Sequence, residues 1–429
     1  MTNFDTLDHF QDQATALDPY EYYGHLVQKS PVYVEPNHGV AIVTGYEEAL
    51  TVFRDNATFS SCNLVAGPSP DFIPVALEGD DITDLVEQYR DRLPQSDQIV
   101  TFDPPKHTAH RSLLMGLIVP KRLKENEDFI WRLTDRQLDT VLALGKCELI
   151  DDYAQPYTLL VIADLLGVPE SDHGMLLERT GLSSIQLGST GPQAPSAQHS
   201  LAPLYDYFIE RIEERRREPS GDVLSGLANS TFPDGSIPEA VEVARIASNL
   251  FAAGQETTVR LLGAALQLIG DDPDLQRRLR DNRALIPTFI EETLRTQGPI
   301  KGAFRLVRKS TTLGGVDLPA GTTVFVSHAA ASRDPRQFEC PAEFRVDRPN
   351  VRRHIAFGYG VHTCPGAPLA RSEVRITLER LFDRTSDITI SESAHGPIGA
   401  RRYAYMPTYM FRGLMNLHLE FTPATGSTA

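Results

Sequence analysis

A chain of 429 residues with 41% hydrophobic content is long enough to bury a large core, and its formal charge of -16 argues against nucleic acid as a partner. Cys62, Cys147, Cys340 and Cys364 show none of the paired spacings of a zinc site or a disulfide framework, which fits a reducing, cytoplasmic compartment. The first seventeen residues carry Asp5, Asp8 and Asp12 without lysine or arginine and so do not form a signal peptide, while the most apolar stretch, residues 159–168, is short and interrupted by Asp164, too little to span a bilayer.

Residues 31–46 predict two short strands joined by a turn at Pro36-Asn37-His38-Gly39, hence a small sheet near the N-terminus. Residues 60–105 are acidic and punctuated by Gly67, Pro68, Pro70, Pro74 and Pro94, with one helix-like patch at residues 83–92. Long irregular stretches of this kind serve as lids or linkers. Within them, nine acids against two arginines between residues 71 and 103 give a local charge of -7. Pro104-Pro105-Lys106 then reads as a helix entry, and His107 and Arg111, four apart, share one face of that helix. Taken alone, they read as a surface pair. Residues 104–124 hold five basic side chains and no acid, for which a solvated face is the plainest account.

Helical periodicity continues through residues 123–144 and 157–166, and residues 180–203 then turn to Gly, Ser, Pro and Gln, which break a helix. Residues 238–270 form the longest helical pattern, about 50 Å at roughly 1.5 Å per residue. Inside it lies Ala253-Gly254-Gln255-Glu256-Thr257-Thr258. A mid-helix glycine costs about 1 kcal/mol relative to alanine, and Thr257 is placed to bond back to the Ala253 carbonyl and bend the helix. For this segment alone, a helix packed closely on a neighbour with Glu256 exposed is the simpler reading. Residues 287–296 predict the next helix, with Glu292 and Arg295 three apart on one face. Residues 304–307 and 323–326 read as strands, residues 367–382 as a helix, and the tail from Ile388 as short strands with a corner at Pro407-Thr408-Tyr409-Met410 that is expected to touch a pocket.

The most informative stretch is Phe357-Gly358-Tyr359-Gly360-Val361-His362-Thr363-Cys364-Pro365-Gly366. Isolated cysteines are commonly buried and inert. This one sits among glycines that let the backbone turn tightly and approach something flat or bulky, which suits a thiolate that ligates a metal. With its Phe, its two glycines, a basic residue two before the cysteine and a glycine two after, the stretch resembles the haem-binding loop of the cytochrome P-450 family, in which a cysteine thiolate holds the haem iron.

The resemblance extends from about Asp18 to Phe421 and implies a mainly α fold with a smaller β part, a single large domain over residues 1–429 with lid segments at about 60–105 and 180–203. It implies haem b (iron protoporphyrin IX), with Cys364 as iron ligand, Phe357, Gly358 and Gly366 shaping the loop around it, and His107, Arg111, Arg305 and His362 neutralising the two propionates. The helix after the cysteine points its positive end at the sulfur. Ala253 falls in the family's oxygen-binding groove, where Glu256 and Thr257 are the acid and alcohol that relay protons to dioxygen. Glu292 and Arg295, completed by Arg348, match a structural triad that braces the cysteine loop. Pro365 stands where many members have a larger apolar residue, and it removes one N–H that would otherwise bond the sulfur.

The implied function is insertion of one oxygen atom from dioxygen into a C–H bond of a small or medium apolar compound. Electrons would come from an iron-sulfur ferredoxin with an NAD(P)H-dependent reductase, docking at the basic segments, with neither membrane nor nucleic acid as a partner. Two other functions share these motifs: a non-catalytic haem-binding or partner-recruiting module, and a peroxide-driven hydroxylase, which usually lacks the pair seen at Glu256-Thr257.

Overall fold

The computed structural model describes residues 3–69, 71–116, 118–180 and 202–424, so most of the polar lid segment expected at about 180–203 lies outside the described residues. Helices predominate and strands are the smaller part, as expected. The principal sheet is built from β1 (Val32–Val34), β2 (Ala41–Val43), β3 (Phe59–Ser60), β4 (Ala303–Val307) and β5 (Thr323–Val326), in the order β1-β2-β5-β4-β3. β2 and β5 run parallel and the other neighbours antiparallel. Every residue of β4 and β5 is buried, so these strands are apolar-covered on both faces rather than alternating. Arg305, opposite Val324, is thereby held inside the sheet.

Through the helical part runs the helix Ala240–Asp271, 32 residues long, opened by a capping box between Glu239 and Glu242. It is buried along much of its length, because the helices Gln155–Leu166, Ala202–Arg217, Ile286–Gln297 and Ala367–Arg384 pack around it. Gly254 has a local reason to be glycine: a Cβ there would lie 3.3 Å from Cδ1 of Ile162 on Gln155–Leu166. The close helix contact anticipated for such a glycine is present.

Beneath the cysteine loop, Glu292 and Arg295 of Ile286–Gln297 are completely buried. Arg295 donates from Nε and Nη2 to the Glu292 carboxylate at 2.7 and 2.8 Å, and Arg348 donates its Nε to the same carboxylate at 3.0 and 3.2 Å. The Arg345 backbone N–H adds a bond to Oε1 at 2.9 Å. The remaining guanidinium protons of both arginines go to backbone carbonyls of residues between Ser332 and Glu343. One helix and the irregular chain that leads to the cysteine are thus tied together, two guanidinium groups sharing one carboxylate and filling out their bonds at neutral carbonyls.

Candidate active site

The cysteine loop closes on itself, with the Cys364 N–H donating to the Phe357 carbonyl at 2.9 Å and the Thr363 N–H to that of Gly360 at 3.1 Å. Gly360 has φ +71, and a Cβ there would fall 2.4 Å from the Phe53 carbonyl oxygen, so no side chain fits. Arg371, on the following helix, lies over the Phe357 ring with its guanidinium carbon 4.6 Å from the centroid and donates to Glu291 at 2.6 and 2.9 Å, while His354 Nε2 stands 2.9 Å from the same carboxylate. Burial pushes the Cys364 thiol upward, and the Gly366 and Ala367 N–H groups bonded to sulfur, with the nearby Arg111 and Arg371 charges, pull the other way. Pro365 has no N–H to offer, so these two bonds, at the start of Ala367–Arg384, do the work.

Cys364, Gly366 and Phe357 line one wall of a cavity of about 260 Å³; Ala253, Gly254 and Thr257 of the long helix contribute to its lining, and Ile99 and Val100 come from the predicted lid at 60–105. His107, Arg111 and His362 also reach it. The guanidinium charges here are unanswered. Arg111 donates only to the Thr363 carbonyl at 2.6 Å, Arg305 only to the carbonyl of its neighbour Phe304 at 2.7 Å, and neither meets a carboxylate among the described residues. The rings of His107 and His362 are 4.0 Å apart, and His107 Nδ1 is buried without a partner. Burial, then mutual repulsion, lowers His107 to about 4 and His362 to about 2; burial also lowers Arg111, and it lowers Arg305 to about 10. Buried cations without counter-charges are costly. Two such guanidinium groups and two neutral imidazoles gathered near an N–H-bonded thiol fit a flat dianion that brings its own metal, the donor set and counter-charges of a haem with two propionates.

Some expected residues stand elsewhere. Thr257 does donate its hydroxyl to the Ala253 carbonyl, at 2.9 Å. Glu256 does not line the cavity, because Arg260, one turn on and buried, binds its carboxylate through Nε at 2.8 Å and through Nη2, while donating from Nη1 to the Leu414 carbonyl at 2.6 Å. Arg305 lies in β4, with its guanidinium carbon 5.4 Å from the Phe53 ring centroid, outside the cavity lining. Gly358 serves through its backbone, at φ +68. The tail corner does not reach the cavity: Tyr409 packs its ring 5.1 Å from Phe10 and 6.0 Å from Phe304.

Four participants went unnoticed in the sequence. Ser61 places its hydroxyl 3.0 Å from His362 Nε2, and Arg260 clamps Glu256. Asn249 faces the cavity one turn before Ala253, and Glu373 lines it with a fully buried carboxyl held well above the usual carboxylate range by burial alone. Only Arg260 carries a local signal, its four-residue spacing from Glu256 on one helix face; the others matter only through a partner remote in sequence or through the cavity itself.

A family model described as Cytochrome P450 matches residues 140–386. Cytochrome P450 144 of Mycobacterium tuberculosis is 35% identical over 324 residues, covering 75% of this chain and 72% of that protein. The chain belongs to the cytochrome P450 family. Similar to this P450 are also the 6-deoxyerythronolide B hydroxylase of Saccharopolyspora erythraea, 30% identical over 92% of the chain and 96% of the relative, and the substrate-free structure of Mycobacterium marinum CYP150A6, 51% identical with a TM-score of 0.91 over 98% of this chain and all of that one. This P450 is accordingly an oxidoreductase, a haem monooxygenase whose cofactor is iron protoporphyrin IX. No helix among the described residues is long and apolar enough to cross a membrane.

Proposed function

We propose that this P450 hydroxylates a C–H bond of a small or medium, mostly apolar compound, with electrons from a separate iron-sulfur ferredoxin and its NAD(P)H-dependent reductase. The observation that carries the reading is the convergence on one apolar cavity of the N–H-bonded Cys364 thiol, the unanswered Arg111 guanidinium with His107 and His362 beside it, and the Thr257 hydroxyl. Bound haem supplies dioxygen activation at iron, the chemistry that no side chain can perform alone. Cys364 would be its thiolate ligand, with the Gly366 and Ala367 N–H groups tempering the charge on sulfur. His107, Arg111, His362 and, from behind, Arg305 would hold the propionates.

Thr257 keeps its hydroxyl proton on the Ala253 carbonyl and leaves its oxygen lone pairs facing the cavity, so it accepts a hydrogen bond from a water there and orders it. Glu256 takes protons from the solvent side and passes them on through such water, and Arg260 positions it. One oxygen atom enters the C–H bond as the other leaves as water, consuming two electrons and two protons. The apolar lining keeps bulk water from competing.

Support for an acidic electron donor comes from the basic segments near the loop. Arg371, Arg375 and Arg380 are already paired with Glu291, Glu127 and Asp135. Lys124, Arg352 and Arg353 are exposed without a carboxylate at ion-pair distance among the described residues, and unpaired cations of this kind steer a partner of opposite charge. The free Cys62, Cys147, Cys340 and Cys364 support a cytoplasmic setting.

The test is the ratio of product to electrons consumed, measured with a compound that perturbs the haem spectrum. Thr257→Ala should go on reducing dioxygen while releasing hydrogen peroxide in place of product, and Glu256→Gln should slow turnover. Unchanged coupling in Thr257→Ala would remove the hydroxyl from the proton path.

A further inference from the structure

The side chains by which the long helix meets the cavity are Ile246, Asn249, Leu250, Ala253, Thr257 and Thr258, with Gly254 between them. Asn249, Ala253 and Thr257 are spaced by four and form one stripe. Thr257 spends its proton within the helix, at the Ala253 carbonyl. Asn249 spends nothing: its amide, with two donor protons and an acceptor oxygen, makes no hydrogen bond to any described residue and is only half-buried, open to the cavity. Asparagine is a poor residue for a helix interior, and a polar group at an apolar wall is disfavoured unless something bonds it. The lid side chains Ile99 and Val100, which share this cavity, provide nothing polar.

We infer that Asn249 is the polar recognition point for the substrate, which is an apolar skeleton bearing one neutral oxygen function, a hydroxyl or a ketone. The inference rests on the monooxygenase reading and names its substrate class more closely. Neutrality follows from the charges. Arg111, the one cation among the described lining residues, is answered by the propionates together with Arg305 behind it, so a carboxylate substrate would be buried beside an amide without a counter-charge. Geometry bounds the size. Eight residues separate Asn249 from Thr257, an axial rise of about 12 Å, so the oxygen function lies within roughly that distance of the carbon oxidised beside Thr257.

The experiment uses the haem-loaded protein and the optical shift that accompanies substrate entry, titrated with matched pairs: menthol against p-menthane, and androstan-17-one against androstane. A neutral hydrogen bond of ordinary strength corresponds to about three- to tenfold in affinity. Wild type should prefer the oxygenated member of at least one pair by that factor. Asn249→Leu should erase the preference while retaining the hydrocarbon, and Asn249→Asp, an acceptor only, should keep the alcohol and lose the ketone. Equal affinity within both pairs in wild type, or a preference that survives Asn249→Leu, overturns the assignment. Loss of haem from Asn249→Leu, with the preference intact in what remains, would overturn it too, by giving the amide to a propionate. Absence of a thiolate-type carbon monoxide spectrum in wild type would instead sink the monooxygenase reading itself, so the two failures are told apart.

Discussion

Glu292→Gln keeps the shape of the side chain and one acceptor oxygen, and removes the charge that two buried guanidinium groups share. In the native protein the carboxylate receives Arg295 at 2.7 and 2.8 Å, Arg348 at 3.0 and 3.2 Å and the Arg345 N–H at 2.9 Å, with Glu292 and Arg295 fully buried. Removing one partner of a buried ion pair costs about 3–5 kcal/mol. The lower part of that range applies here, because both arginines retain several backbone carbonyls. An unfolding entropy of about 2.1 cal/mol/K per residue amounts to roughly 0.9 kcal/mol/K for a chain of this length, so a loss of about 3 kcal/mol lowers Tm by about 3 °C. The assay is thermal unfolding of the haem-loaded protein followed by circular dichroism and by the haem absorbance. Haem release should precede loss of helix by a wider margin than in wild type, since the triad braces the segment that leads to Cys364. Molecules that keep their haem should turn over normally. A Tm within 1 °C of wild type, or normal stability with lost turnover, would refute the structural role.

Arg260→Met frees Glu256 and should lower the product formed per electron while leaving haem content and substrate-induced spectral shifts in place. The double variant with Glu256→Gln should be no worse than Glu256→Gln alone, because the two side chains act as one unit; additive losses would separate them. For Glu291, burial favours the neutral acid, but His354 and Arg371 outweigh it and hold the carboxyl at about 2, below its ordinary 4.5. A depressed carboxyl stabilises the fold fully above 4.5 and loses that contribution as pH falls from 4.5 toward about 2; the shift corresponds to about 3 kcal/mol at neutral pH. The stability gap between wild type and Glu291→Gln should therefore be large at pH 7 and shrink through that window, and a gap independent of pH would exclude the pairing as its source.

Local features of the sequence carried the helices, strands and loop whose determinants are close together. The long helix, the Lys106–Met115 helix with His107 and Arg111, and the self-closing cysteine loop lie where periodicity, Pro104-Pro105 and the glycines put them. What stayed hidden depends on distant partners. The strand Lys146–Glu148 is three residues long and exists because His418–Pro423 pairs with it. The hairpin of Thr311–Leu313 and Val316–Leu318 had its Gly314-Gly315 turn in plain view, but strands so short give little alternation to read. At the site, Glu256 was placed correctly on its helix; its four-residue spacing from Arg260 was there to be read, but not that Arg260, anchored on the Leu414 carbonyl, would hold the carboxylate away from the cavity. The tail corner was expected at a pocket, whereas Phe10 and Phe304, hundreds of residues earlier in one case, claim Tyr409. Asn249 was passed over because a single amide in a helix has no pattern; only the cavity wall makes it conspicuous.

The central claim is that Cys364, as a thiolate, binds the iron of a haem in this cavity. The most direct measurement is the optical spectrum of the reduced, haem-loaded protein under carbon monoxide, taken beside Cys364→Ser. Wild type should show the strongly red-shifted Soret band of thiolate ligation, lost in Cys364→Ser even where haem is retained. An unshifted band in wild type, or a red-shifted one that survives in Cys364→Ser, would contradict the account.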